Sequence, residues 1–386
     1  MLASESLFSW YKNMRETSPV YFDKDWNCWN IYTYDYALQA LRNPSVFSSS
    51  PPIQGSADSL SSSMILMDPP KHTVFRSLVN RFFTARAVQE LEPRIESLAE
   101  TLLRRVEGES AFDFVGSLAV PLPVTVIAGL LGVPAEDMSL FKQWTDSIVG
   151  VDGGGGDGGS GEGYRSSQQG LVEYFGRIIE QRRAQPRNDL VSQLLTSEVE
   201  GRSLTAKELL GFCTLLLIAG NETTTNLLSS TVKALSDNPE SCGKLLSNLN
   251  DALPLAIEEA LRYYSPVQVL PHRFAKTDMV LGGQTIRAGE QVAVWIGSAN
   301  RDERKFPNAG KFVVDRRPNE HIAFGSGPHM CLGAPLARLE AKVALRVFLK
   351  RFRWFRVKEA HMLSGPLIYG FRKLVVEVEP RRVDSS

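Results

Sequence analysis

Phe324-Gly325-Ser326-Gly327-Pro328-His329-Met330-Cys331-Leu332-Gly333 carries the most chemical information in this chain. Its two inner glycines and its proline predict a tight turn with exposed backbone. The turn ends on Cys331, where a helix is predicted to begin. The orphan N–H groups and positive end of that helix would face the sulfur and favour thiolate. Gly333 leaves room for a flat ligand to lie against the helix. A single thiolate on a shielded loop suits one axial bond to haem iron. The competing reading is an inert buried cysteine at a helix cap. Zinc fits less well, because His329 and Cys331 lack two further ligands nearby.

Composition frames this site. Of 386 residues, 43% are hydrophobic and 22% charged, values that exclude collagen, global disorder and a polytopic membrane protein. Lys+Arg and Asp+Glu both number 43, so no global field steers the chain toward nucleic acid or anionic lipid. Cys28, Cys213, Cys242 and Cys331 include no CxxC pair, which argues against a disulfide framework and for a reducing compartment. The N-terminus lacks the apolar core of a signal peptide. Residues 115–134 form an uncharged stretch of spanning length, but their prolines and glycines favour a buried helix entered through a proline turn. A soluble cytoplasmic protein with no nucleic-acid or membrane partner, and a monomer, is expected.

Along the chain, helical patterns cover residues 7–16, 34–42, 71–108, 136–149, 166–185, 189–198, 204–237, 253–264 and 332–352. Strand patterns are few: 20–22 with 29–32, then 267–270, 279–281 and 292–296, and a C-terminal hairpin over 367–378. The expectation is a mainly α fold with small β-sheets, in a single domain spanning 1–386. Residues 150–163 are a glycine-rich flexible loop that formally matches GxGxxG. A dinucleotide site is rejected, since a helix precedes the loop and no β-branched strand does.

Three further groups carry chemistry. Ala219-Gly220-Asn221-Glu222-Thr223-Thr224 lies in the long apolar helix. Glycine there costs ~1 kcal/mol against alanine, and its missing side chain would let a ligand approach the backbone. Threonine hydroxyls can bond back to carbonyls one turn earlier, and an acid in such a helix is costly unless it pairs or moves protons. A polar patch at the end of a core helix is the alternative. Glu259 and Arg262, at i,i+3, meet on one helix face, a pattern with little specificity alone. His72 and Arg76, at i,i+4, can grip a carboxylate, or be ordinary solvated basic residues.

The cysteine stretch fills every position of FxxGxHxCxG and so resembles the haem-binding signature of the cytochrome P450 family. Glu259-Ala260-Leu261-Arg262 is similar to that family's ExxR, residues 68–76 to DPPxHxxxR, and Ala219–Thr224 to its oxygen-groove motif. The resemblance runs over nearly the whole chain, in family order, and looks most like the short soluble prokaryotic members. It implies a cytochrome P450 fold of helices enclosing haem b. Cys331 would be the axial ligand, with Phe324, Gly325, Gly333 and Gly220 close to the haem. His72, Arg76, Arg273 and His329 would hold the propionates. Glu222 and Thr223 would deliver protons; Thr224 and Thr225 are harder to place. The Glu259–Arg262 pair, with residues 300–302, would lock the core behind the haem. Leu216, Ala219, Val267, Val269, Leu367 and Ile368 would line an apolar substrate pocket, each also open to plain core packing. The implied activity is hydroxylation of a medium-sized hydrophobic molecule with O₂. A ferredoxin-like or flavodoxin-like protein would supply electrons. Its docking face is placed on Arg338, Lys342 and Arg346, which recur every four residues. The loop 150–163 would act as a lid. A peroxide-driven haem–thiolate enzyme and a noncatalytic haem sensor are the rival readings.

Overall fold

The computed structural model describes residues 4–52, 62–137, 139–141, 143, 144, 162–199 and 201–381. The helices in chain order are α1 Ser4–Thr17, α2 Tyr34–Arg42, α3 Lys71–Asn80, α4 Ala85–Gln89, α5 Glu92–Arg104, α6 Pro121–Leu131, α7 Glu162–Ala184 and α8 Leu190–Leu195. They continue with α9 Ala206–Asp237, α10 Pro239–Ser247, α11 Leu249–Tyr264, α12 Ile296–Ala299 and α13 Ala334–Arg351. Strands β1 Val20–Asp23, β2 Cys28–Ile31, β10 Gln291–Val294, β7 Leu270–Ala275 and β3 Phe47–Ser48 form one sheet in that order. Strands β11 Phe352–Met362, β12 Phe371–Pro380 and β4 Ala111–Asp113 form another. Two hairpins complete the set, β5 Glu198–Val199 with β6 Arg202–Ser203, and β8 Met279–Leu281 with β9 Gln284–Ile286.

Helix α9 is the centre of this arrangement. Its start is a capping box: Thr205 Oγ1 accepts the Glu208 N–H at 3.2 Å, and the Glu208 carboxylate accepts the Thr205 N–H at 2.9 Å. Beyond the cap the helix is buried on nearly every side, as an all-round apolar pattern demands. It packs against α6, α7, α11 and α13, which share one large hydrophobic core with it. A second core lies between the five-stranded sheet and α2.

The two cores are stitched by a buried ionic cluster. The Glu259 carboxylate is inaccessible to solvent and accepts Arg262 at 2.8 and 2.7 Å. It also accepts Arg316 Nε at 3.0 Å, the Val313 N–H at 2.9 Å and the Asn319 amide at 3.2 Å. Arg262 turns its remaining N–H groups to the carbonyls of Asn300, Ala309 and Lys311 at 2.9–3.0 Å. The expected contact with residues 300–302 is thus made through the Asn300 carbonyl. Arg301 itself points elsewhere, over the rings of Phe8 and Tyr263 at 3.4 and 3.9 Å. The second cation is Arg316, which the sequence reading missed.

Several boundaries differ from the sequence expectation. The helical run over 71–108 is broken, because Thr84 caps a new helix by accepting the Ala87 N–H and Pro93 restarts the chain in α5. The strand expected at 267–270 begins only at Leu270; before it, Val267 makes an isolated bridge to Ile368. The C-terminal hairpin is wider than 367–378. Its first strand is Phe352–Met362, whose charged residues lack clean alternation. Residues 115–134 form a π-helical turn, Val115–Ala119, followed by α6. No helix among the described residues is long and apolar enough to cross a membrane. Half of 136–149, and all of 150–163 except the first two residues of α7, lie outside the described residues.

Breaking the ionic cluster from one side should be severe. Glu259→Gln leaves two buried guanidinium groups without a counter-charge and should lower stability by about 3–5 kcal/mol. Urea unfolding followed by circular dichroism measures it; a loss under 1 kcal/mol would show that the cluster does not hold the two cores together.

Candidate active site

The cysteine loop is shaped by its glycines and held from several directions. Gly325 and Gly327 have φ of +70° and +72°. A Cβ on Gly327 would lie 2.4 Å from the Leu41 carbonyl oxygen of α2, so glycine is required there twice over. The loop closes on itself through Cys331 N–H to Phe324 O at 2.8 Å. Arg42 of α2 donates to Ser326 Oγ at 2.8 Å, and Arg76 of α3 donates to the Pro328 carbonyl at 3.2 Å. Asn300 Oδ1 accepts the Ile322 N–H at 2.8 Å. Arg338 of α13 lies 4.5 Å over the Phe324 ring and clamps Glu258 of α11 at 2.7 and 2.8 Å. His321 adds a third contact to Glu258 at 3.0 Å.

Helix α13 begins at Ala334 rather than at Leu332, so Cys331 sits just before the helix end. The backbone N–H groups of Gly333 and Ala334 point back to its sulfur. Burial pushes the Cys331 thiol up, while these two donors and the charges of Arg76 and Arg338 oppose that rise. Yet Cys331 has exposed surface. A sulfur that is both deep-set and accessible lines a cleft.

Beside it stand four basic side chains. The rings of His72 and His329 are 4.0 Å apart. Buried atoms His72 Nδ1 and His329 Nε2 have no hydrogen-bond partner among the described residues. Arg273 is buried and donates only to its neighbour's carbonyl, His272 O, at 2.7 Å. Neither Arg76 nor Arg273 has a carboxylate partner among the described residues. Burial and mutual repulsion push His329 down to about 3, and burial with the neighbouring Arg76 lowers His72. Burial lowers Arg273 and Arg76 as well. The charge of Asp68 reaches His72, His329 and Arg273 without an ion pair to any of them among the described residues, and Asp68 is itself held by Lys276.

On α9, Ala219 is exposed and Thr223 half-exposed, while Leu216, Glu222, Thr224 and Thr225 are buried. The three consecutive hydroxyls have three different partners. Thr223 donates to Ala219 O at 2.7 Å, Thr225 donates to Ala119 O at 3.0 Å, and Thr224 meets the carboxyl of Glu340 on α13. The bare Cα of Gly220 faces Ile127, 3.3 Å from a would-be Cβ, so it also lets α6 pack closely. In the expected pocket, Val267 and Ile368 are paired and Leu367 is exposed. Val269 packs instead among Cys28 and Ala293 at the sheet, the core-packing alternative.

A mainly helical fold thus sets a cysteine that faces backbone N–H groups beside four basic side chains. The family model for Cytochrome P450 matches residues 160–365. The crystal structure of CYP109E1 from Bacillus megaterium in complex with testosterone is 41% identical, covers 96% of this chain and 97% of that one, and superposes with a TM-score of 0.90. Cytochrome P450 119 from Sulfolobus acidocaldarius is 37% identical over 97% of this chain and 99% of its own. Cytochrome P450 monooxygenase PikC from Streptomyces venezuelae is 39% identical over 84% of this chain and 77% of its own. The chain belongs to the cytochrome P450 family and is an enzyme of its monooxygenase class.

Cytochromes P450 carry haem, and the residues here fit it. The sulfur has two N–H donors and a deep setting, as an iron-bound thiolate needs. Two orphaned imidazole nitrogens and two arginines without carboxylate partners suit a group with two carboxylates.

The Glu258 clamp makes the loop's hold pH-dependent. Burial alone would raise this carboxyl, but the Arg338 and His321 bonds outweigh it and hold it at about 2, below the ordinary 4.5. A depressed folded pKa stabilises the protein above 4.5, and that stability is lost as pH falls toward 2. Glu258→Gln should therefore lower Tm at neutral pH yet flatten its fall across this acid window. Parallel Tm-against-pH curves for the two proteins would exclude Glu258 as the responsible group.

Proposed function

We propose that this enzyme binds haem b through Cys331 and hydroxylates a hydrophobic small molecule of about steroid size, using O₂ and electrons from a separate protein. The observation that carries the reading is the Cys331 sulfur, solvated by the Gly333 and Ala334 N–H groups beside four basic side chains with no ion pair among the described residues. The bound haem would supply oxygen activation, which a thiolate ligand promotes. The chain's own residues do the rest. His72, Arg76, Arg273 and His329 fix the cofactor's carboxylates. Phe324, Gly325 and Gly333 shape the loop on its sulfur side. Thr223, on the exposed face of α9 one turn after Ala219, holds a hydroxyl where a proton is needed, and Glu222 follows as the acid that replenishes it. Leu216, Ala219, Val267 and Ile368 exclude water from the substrate. The testosterone complex of the Bacillus megaterium relative supports the substrate size.

Electrons would arrive from an acidic ferredoxin-like or flavodoxin-like protein. The expected basic stripe is altered by ion pairs. Arg338 is held by Glu258, and Arg346 by Glu92 and Glu96 at 3.0 and 3.1 Å. Lys342 between them makes no ion pair among the described residues and is the cation left for docking.

Two substitutions test the reading. Cys331→Ala should abolish the thiolate-type spectrum of the reduced CO complex; a variant that keeps it would disprove the ligand assignment. Thr223→Ala should bind haem and a steroid panel normally, judged by spectral titration, but lose roughly tenfold or more of its product per NADH. Unchanged coupling would remove Thr223 from the proton path.

A further inference from the structure

Glu340 is a carboxyl in the wrong place for an ordinary helix surface. It lies instead on the inner side of α13 at 2% exposure, among Leu336, Val343, Ala344 and Val347, which are buried too. Its side-chain partner is Thr224 of α9, itself buried. The pair therefore joins the two helices that carry the candidate chemistry: α9 with the acid–threonine sequence, and α13, which starts three residues after Cys331. A glutamine or leucine would fill this space without the cost of burying an acid.

We propose that Glu340 and Thr224 form a proton-exchange pair, in which the buried carboxylate takes up one proton when iron held by Cys331 gains one electron. This rests on the reading of Cys331 as the iron ligand. The step balances simply. One electron, from dithionite or an electrode mediator, converts ferric to ferrous iron. One proton from solvent converts the Glu340 carboxylate to the acid, with the Thr224 hydroxyl turning from donor to acceptor. No other bond is made or broken, and the interior's net charge is unchanged. Glu340 here is a charge-compensating residue, acting on the centre through the electrostatics of a low-dielectric interior.

The surroundings isolate this carboxyl. Burial raises it to about 8, and the Thr224 hydroxyl alone opposes that rise. Charged groups on the packed elements largely pair with one another, and Lys342 of α13 makes no ion pair among the described residues. On α13, Arg338, Arg346 and Arg351 face outward to acids. On α5, Glu92, Glu96 and Glu100 hold Arg346 and Arg351. On α11, Glu258 holds Arg338 and His321, and Glu259 holds Arg262 and Arg316. On α4, Arg86 pairs with Glu90 at the surface. On β11, Arg353 and Lys358 pair with Glu379 and Glu377 of β12. On α9, Glu222 sits two residues before Thr224, on the opposite side of the helix. An electron added nearby acts on this buried titratable group. The added negative charge raises that group further, and by linkage the proton favours the electron equally.

The test is a spectroelectrochemical titration of the haem-loaded enzyme across pH. Below about 8 the acid is already neutral and the potential should not vary with pH through this group. Above about 8 the potential should fall with a slope of one proton per electron. Glu340→Gln, the neutral isostere, should erase that break. Thr224→Val removes the donor that favours the charged form and should move the break to higher pH. The reduced-minus-oxidised infrared spectrum of the parent above the break should gain a protonated-carboxyl band that Glu340→Gln lacks. A Glu340→Gln protein with the parent's slope, or a Thr224→Val protein with an unmoved break, would overturn the proposal. The CO spectrum of the parent reports separately on Cys331. If that spectrum is not of the thiolate type, the ligand reading fails, whatever the slope does.

Discussion

One carboxylate, that of Glu259, sets the frame within which the site exists. Withdrawn from solvent, it needs every hydrogen bond it receives, and it receives them from a helix, a loop and two arginines. Each arginine passes the constraint on to backbone carbonyls between Asn300 and Lys311. Asn300 in turn holds the backbone at Ile322, the near end of the cysteine loop. A chain of directional bonds thus runs from the core of α11 to within a few residues of the sulfur. Burying such charges is favourable only when all are satisfied, so the arrangement tolerates one geometry.

Charge pairing also separates scaffold from site. Arg262, Arg316, Arg338 and Arg346 all have carboxylates; the last two fasten helices to one another, and the first two fasten the loop at 300–316 to α11. Arg76, Arg273, His72 and His329 make no ion pair among the described residues, only a longer-range interaction of the last three with Asp68, and they gather beside Cys331. A buried polar group without a partner is costly to a folded protein, so such groups point to an external one. The contrast within one chain identifies the binding groups better than their basicity does.

The parts of this molecule that were legible in the sequence are those whose geometry is local. Glycine and proline around Cys331 dictated the turn, and the apolar run of α9 dictated a helix through the core. The i,i+3 spacing dictated that Glu259 and Arg262 meet. What escaped was set by partners distant in the chain. Arg316 becomes the second cation of the cluster only because a loop folds back over α11. Arg338 and Arg346 look like a surface stripe until α11 and α5 bring acids to them. Gly220 suggested a ligand, and the room it gives to Ile127 of α6 was not legible. The three threonines at 223–225 were indistinguishable in sequence because their partners come from α9 itself, from α13 and from the turn before α6.

The grip on the cysteine loop has a consequence for how the enzyme is made. Its holders are Leu41 and Arg42 behind Gly327 and Ser326, Arg76 behind Pro328, Asn300 behind Ile322, and Arg338 with Glu258 beside Phe324. Arg42 and Ser326 are separated by 284 residues, and Arg76 and Pro328 by 252. Contacts this remote in sequence form only after the intervening chain has been synthesised and largely organised. A truncated or nascent chain lacking the last quarter contains the basic residues of α3 but nothing to seat them against. Seating of the cysteine loop is therefore a late event, and the loop acts as an internal check that both ends of the polypeptide have found each other.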